Sequence, residues 1–191
     1  MTLVWIVSVF NFYMINLQVK YFPGDFATNM MVLTGSDIPA TLLAGYLVNH
    51  YKPKTIFVMF FSLQSAAGMT ILLFISSSNP GWMFPALVAC ARVGVVGAFT
   101  AVWVLHPRMF PTLFAATSMG IANFVSRGMV IMAPIVAEIA YPTPIVVFTI
   151  MTILAGFSST FLLDQSSSVP SSKEEKTAKY KAEAIINGPI M

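Results

Sequence analysis

Six apolar runs dominate this chain, at residues 2–19, 27–48, 55–76, 82–105, 112–140 and 144–163. Each is close to the roughly 20 residues that a helix needs to cross a bilayer. A lipid interior offers the backbone no hydrogen-bond partners, so runs of this length are confined to helices whose amides pair internally. The breaks between the runs are short and rich in turn-forming residues. They read Tyr21-Phe22-Pro23-Gly24-Asp25, His50-Tyr51-Lys52-Pro53-Lys54, Ser76-Ser77-Ser78-Asn79-Pro80-Gly81, His106-Pro107-Arg108 and Tyr141-Pro142-Thr143-Pro144. Hydrophobic residues make up 57% of the chain and charged ones 9%, with a mean hydropathy of +0.80. A soluble domain carries about 25% charged residues, so this chain lacks the polar groups to cover a water-facing surface. The expected fold class is all-α and integral to a membrane, with six transmembrane helices.

Residues 1–17 are apolar but have no basic start and no small-residue cleavage site, and Lys20 and a Pro-Gly turn follow closely. They are expected to remain as a helix rather than leave as a signal peptide. The bundle is expected to occupy residues 1–164. From residue 165 the chain becomes Ser-rich and then Lys/Glu-rich, with little to bury. Residues 165–191 therefore read as a polar, mostly disordered tail, in which Lys173 to Ala184 has the pattern of a transient helix. With six spans, both ends of the chain share a side with the second and fourth breaks. That side holds Lys52, Lys54, Arg108, Lys173, Lys176, Lys179 and Lys181, whereas the other has Lys20 offset by Asp25. Both termini are thus expected on the cytoplasmic, or equivalent inner, side.

Several classes of function find no support. The net charge of +3 is scattered rather than striped, so no nucleic-acid partner is expected. Cys90 is the sole cysteine, which leaves no disulfide framework or metal knuckle. The sequence has no HExxH, GxSxG, phosphate loop or Cys/His cluster, so neither an enzyme nor a cofactor or metal is expected.

The informative residues are the charges inside the apolar runs: Asp37, Arg92, Arg127 and Glu138. A charge at mid-bilayer costs roughly 2.5–3.5 kcal/mol even on insertion scales, and it usually faces a bundle interior or a wet path. At a helical rise of about 1.5 Å per residue, Asp37 and Arg92 lie about ten residues into their runs and Arg127 about fifteen, all near the midplane. Glu138 lies near the outer end of the fifth run, where water reaches it. Arginine does not give up its proton, so Arg92 and Arg127 need a carboxylate or an anionic ligand. Asp37 can pair well with only one of them. One reading is a polar mid-membrane cavity; the other is a closed set of ion pairs, with Asp37 and Glu138 balancing the two arginines. For Glu138 alone the structural reading leads. Asn11, Asn16 and Gln18 in the first run, and Asn123 and Ser126 in the fifth, either line the same cavity or bond between helices. Gly94 and Ala98 have the spacing of close helix packing. Pro39, Pro85 and Pro134 lie within runs, where a proline can deprive a carbonyl of its donor. His50 and His106 are expected in inner-side loops.

These residues also carry a resemblance. Gly24-Asp25-x-x-x-Asn29 followed by Asp37-Ile38-Pro39-Ala40 resembles helices seven and eight of the organic-ion transporters of the major facilitator superfamily. Arg92-Val93-Gly94 through Phe99 to Phe110-Pro111-Thr112 resembles their pattern around helices ten and eleven, and Ser126-Arg127-Gly128 with Ala133-Pro134 their helix eleven. The matches occur in order and cover about residues 10–163. The resemblance implies the carboxyl-terminal half of such a transporter, built as two inverted three-helix repeats around a central path. It implies Asp37, Arg92 and Arg127 as cavity residues and, with arginine at the Arg127 position, an organic anion or zwitterion rather than a simple cation.

Other positions depart from that pattern. The superfamily's inner-loop motif is echoed by Gly45-Tyr46-Leu47-Val48-Asn49-His50-Tyr51-Lys52-Pro53-Lys54, with Asn49 for its aspartate and Lys52 for its second glycine. Arg108 stands where the family has a glutamate, and Ala115 where it has an arginine. Two readings follow. One is half of a secondary transporter that binds its solute through Asp37, Arg92, Arg127, Asn11 and Asn123, and needs a second six-helix bundle, either a separate half or a second copy. The other is a transporter-derived, non-transporting subunit of a larger membrane complex. Lipids are expected partners in both.

Overall fold

The computed structural model describes residues 1–22, 24–74, 83–140 and 142–161. Among them are eight α-helices: α1 Thr2–Gln18, α2 Phe26–Gly35, α3 Asp37–His50, α4 Pro53–Phe74, α5 Met83–Met109, α6 Thr112–Val130, α7 Met132–Ala137 and α8 Thr143–Thr160. A single 3-10 turn, Val19–Tyr21, extends α1. Taken together they supply six stretches long and apolar enough to cross a membrane: Thr2–Tyr21, Phe26–His50, Pro53–Leu73, Phe84–Met109, Leu113–Ala137 and Thr143–Thr160. No strand occurs among the described residues. The tail expected at 165–191, the boundary at 164 and the Ser76–Gly81 break lie outside the described residues.

The second and fifth spans are each interrupted by one residue, Ser36 between α2 and α3 and Ile131 between α6 and α7. Each interruption lies three residues before a proline, Pro39 and Pro134. Proline has no N–H to return to the carbonyl four residues back, so the ladder loses a rung at Gly35 and at Val130. At the first break the Ser36 hydroxyl donates to Leu33 O at 2.7 Å. Pro85 is the third residue of α5, has no preceding turn to disturb, and causes no break.

Two expectations are corrected. His106-Pro107-Arg108 is no break: α5 continues through Pro107 to Met109, and the chain turns at Phe110 and Pro111. Burial of Leu105 and His106 holds the helix wound past the proline. Nor are the histidines in loops. His50 ends α3, stacked on Tyr46, and His106 is fully buried on α5.

The packing has an approximate two-fold logic. Helices α1 and α5 lie at the centre and touch one another. The α3 segment packs on α5 just as α6 packs on α1, and α4 packs on α8. Spans one to three and four to six are therefore two equivalent trios. Three is odd, so the second trio enters from the opposite side, which makes the repeat inverted. The fold is that of half a major facilitator bundle.

Close approach of α4 to α5 depends on small residues. A Cβ added to Gly94 would lie 2.7 Å from Gln64 Cγ and 3.1 Å from the Phe60 carbonyl, and one on Gly97 would strike the Phe60 ring. Ala98 and Ala101 are fully buried on the same helix. The second and fifth spans are by contrast the least covered, with Leu42 70% and Phe124 82% exposed. Gly94→Ala is expected to lower the stability of the detergent-solubilised chain by about 1–3 kcal/mol, because backbone on one side prevents relief of the clash. Gly120→Ala, where a Cβ meets nothing within 4 Å, is expected to be neutral or slightly stabilising. Thermal unfolding of the two variants side by side checks the contrast.

Candidate functional site

The break at Ser36 makes Asp37 the first residue of α3 and brings its carboxylate against α5. Arg92, on α5, meets it in a two-pronged pair. Nε donates to Oδ1 at 2.6 Å and Nη2 to Oδ2 at 2.9 Å. The arginine side chain is 4% exposed and the aspartate 33%. A planar guanidinium matches a carboxylate in this fork, which is why arginine rather than lysine suits a buried pair. The third nitrogen, Nη1, is buried without a partner. Below the guanidinium lies the ring of Phe12, 4.6 Å from its carbon to the ring centroid. Stacked on Phe12 is Phe99 of α5, with centroids 4.6 Å apart.

Arg127 is separate from that pair. It is exposed on α6, donates from Nη1 to the Tyr13 hydroxyl at 2.9 Å, and lies 5.8 Å from the Tyr13 ring centroid. Among the described residues no carboxylate pairs with it. Phe12 and Tyr13 are neighbours on α1, edge to face at 5.6 Å. Phe99 continues edge to face onto Trp103 at 6.2 Å. The site is thus an aromatic strip on the two central helices, with a neutralised Asp37–Arg92 pair at one flank and a free cation, Arg127, at the other. Asn123, one turn before Arg127, is half buried, and its side-chain Oδ1 has no partner.

Asn11 is placed elsewhere. It is fully buried, and its Nδ2 donates to Gln64 Oε1 at 3.2 Å and to Thr152 Oγ1 at 2.9 Å. Gln64 passes the chain on to the Gly94 carbonyl at 3.0 Å. This network ties α1, α4, α5 and α8 in the bundle interior, away from Arg127. Asn16 bonds back to Phe12 O, Gln18 crosses to Ala137 O, and Ser126 bonds to Asn123 O. Glu138 does not balance an arginine: it takes Lys20 at 2.6 Å and the Tyr21 hydroxyl at 2.7 Å, all exposed at the bundle end. The sequence reading passed over Phe12, Tyr13 and Trp103 as site residues. Aromatic residues are abundant in any apolar run, and only adjacency to the two arginines distinguishes these.

Removing one member of a buried ion pair leaves the other uncompensated, whereas removing both does not. Asp37→Ala is therefore expected to cost about 3 kcal/mol in unfolding stability, near the low end because Asp37 is partly wet. Asp37→Ala with Arg92→Met is expected to recover much of that loss. A double-mutant cycle read by chemical denaturation in mild detergent measures both. The Glu138 carboxyl is held below its ordinary range, first by its hydrogen bond from Lys20 and then by that from Tyr21. A lowered folded-state value means its contribution is present above the ordinary carboxylate range and disappears as pH falls through the lowered one. The melting temperatures of the wild type and Glu138→Gln should thus differ steadily at neutral pH and converge only on strong acidification.

No family model matches the chain. Several curated proteins do. Over 167 residues it is 26% identical to organic anion transporter 3 of Mus musculus, covering 86% of this chain and 31% of that protein. Over 173 residues it is 26% identical to solute carrier family 22 member 12 of Homo sapiens, covering 88% and 31%. It is 25% identical over 136 residues to organic cation/carnitine transporter 2 of Rattus norvegicus, covering 69% and 23%. The chain therefore spans less than a third of the length of these relatives. Six spans in two packed trios, together with this similarity along most of the chain, make it an integral multi-pass membrane protein related to the organic anion, cation and carnitine transporters of the major facilitator superfamily.

Proposed function

We propose that this chain forms one wall of a transport path for an organic anion or zwitterion and works against a second six-helix bundle. The observation that carries this reading is Arg127, an exposed guanidinium at membrane depth with a tyrosine hydroxyl for a partner and no carboxylate among the described residues. A permanent cation in that position needs an anion. A solute carboxylate would gain charge-assisted hydrogen bonds from it, while the flat part of the solute lies along Tyr13, Phe12, Phe99 and Trp103. The Asp37–Arg92 pair borders the same strip and offers a carboxylate edge to a cationic group, which suits a zwitterion. Asn123, its Oδ1 buried, stands behind the wall one turn before Arg127. Asn11 supports the wall from inside. The names of the relatives, organic anion transporter and organic cation/carnitine transporter, are in keeping with this solute class.

The uncovered faces of α3 and α6 point to where the second bundle would lie, with Arg127 shielded from lipid between the two. Rocking of one bundle on the other would then expose the site alternately. The distribution of Lys and Arg supports an orientation with both termini on the inner side. The other reading, a non-transporting subunit, is favoured by Asn49, Arg108 and Ala115, where the resembled family carries its inner-side charges.

Arg127→Ala separates the two. In proteoliposomes holding the chain with its co-purifying partner, transport predicts loss of anion uptake by at least tenfold with unchanged assembly and stability. If wild-type particles take up no organic anion, and Arg127→Ala only weakens assembly, the subunit reading stands. Native mass measurement of the mildly extracted particle completes the test: two six-helix bundles fit transport, and one copy among many unrelated chains does not.

A further inference from the structure

At the end of the bundle where α5 finishes, three helices bury a group of nitrogen atoms that the transport reading leaves unused. His106, 1% exposed, lies on α5 with its ring 4.9 Å from that of Trp5 of α1, edge to face, and stacked 4.7 Å from Phe110. Trp5 in turn is 5.1 Å from Trp103. The imidazole Nε2 is 3.0 Å from the Ser118 hydroxyl on α6. With the hydroxyl proton directed to Ala115 O, 3.1 Å away, Ser118 accepts from His106 and Nε2 carries the hydrogen. A hydrogen on Nδ1 as well would bring a full charge with no acceptor into this chamber. The ring is therefore neutral, with a bare lone pair on Nδ1. That atom is buried without a partner, as are the indole N–H groups of Trp5 and Trp103.

We propose that His106 is a proton-responsive clasp between α1 of the first trio and α5 and α6 of the second. Neutral, it bonds α5 to α6 through Ser118 and packs edge-on against α1. A second proton, on Nδ1, would have no acceptor, since that atom is buried without a partner beside the Trp5 ring. On its own helix the nearest charged residue in sequence is Arg108, a cation; the α6 neighbour, Ser118, is uncharged. The described carboxylates are engaged elsewhere, Asp25 with Thr28, Asp37 with Arg92 and Glu138 with Lys20. Among the described residues no carboxylate is left to take up the added charge, and an unpaired buried charge is costly enough to drive the group toward water. Acidification releases the ring, breaks the Ser118 bond and loosens the joint between the trios. The inference does not depend on the solute or on transport.

The chain has two histidines and three tryptophans, so the event has few sources and two built-in reporters. The full chain in lipid nanodiscs is titrated from about pH 8 to about pH 5, the range in which histidine changes charge. Tryptophan emission and the ¹⁵N shifts of labelled histidine are followed together. A single emission transition, coincident with protonation of His106, is expected. It should be retained in His50→Gln and absent in His106→Gln. Ser118→Ala removes the bond that holds the neutral ring, and should move the transition up by roughly half to one pH unit. The proposal is overturned if the wild type shows no transition, if the transition persists in His106→Gln or vanishes in His50→Gln, or if Ser118→Ala leaves its midpoint in place.

Discussion

An arginine cannot shed its charge, and a bilayer interior does not tolerate one unaccompanied. Two arginines therefore govern how this bundle is assembled. Arg92 is satisfied within the chain: α3 must approach α5 with Asp37 in register, and the one-residue break at Ser36 begins α3 at that residue. Arg127 is satisfied only in part, through Tyr13. The first charge closes the bundle, and the second leaves a face of it chemically incomplete.

The rest of the packing serves that arrangement. Gly94, Gly97, Ala98 and Ala101 strip one face of α5 to bare backbone, so that α4 can press in and leave the opposite faces of α5 for α3 and α1. The Asn11–Gln64–Thr152 network joins polar groups of three helices through the Asn11 Nδ2, in a medium with no water to do so. With the interior closed by small residues and internal hydrogen bonds, the aromatic strip on α1 and α5 is presented outward between the two charged flanks. The prolines break both the second and the fifth span, after a helix of 10 residues in the one and of 19 residues in the other, and these spans are also the least covered by the rest of the chain. The elements with the fewest internal constraints are thus those turned toward the face that carries Arg127.

The six spans were legible because apolar length is a local property: about 20 residues either are or are not lipid-compatible. The Gly94–Ala98 spacing was legible for the same reason, since small side chains at helical spacing predict close approach whatever the neighbour. The end of α5 was misjudged because Pro107 is a strong local stop signal, and burial of Leu105 and His106 overrides it. His106 looked like a loop residue until its surroundings, Trp5, Phe110 and Ser118, came from three parts of the chain. Arg92 and Arg127 were recognised as alike in depth and charge, yet one is buried in a pair and the other is exposed.

What the sequence determined by itself is the membrane environment, the number of spans and the presence of charges that must be answered, because each follows from the transfer energy of single residues and short runs. What only the tertiary structure decided is which partner answers which charge. Asp37 sits 55 residues from Arg92, and Tyr13 114 from Arg127. Pairing across such separations is set by helix contacts and the exact turn on which a break falls, and by no property of the residues taken one at a time.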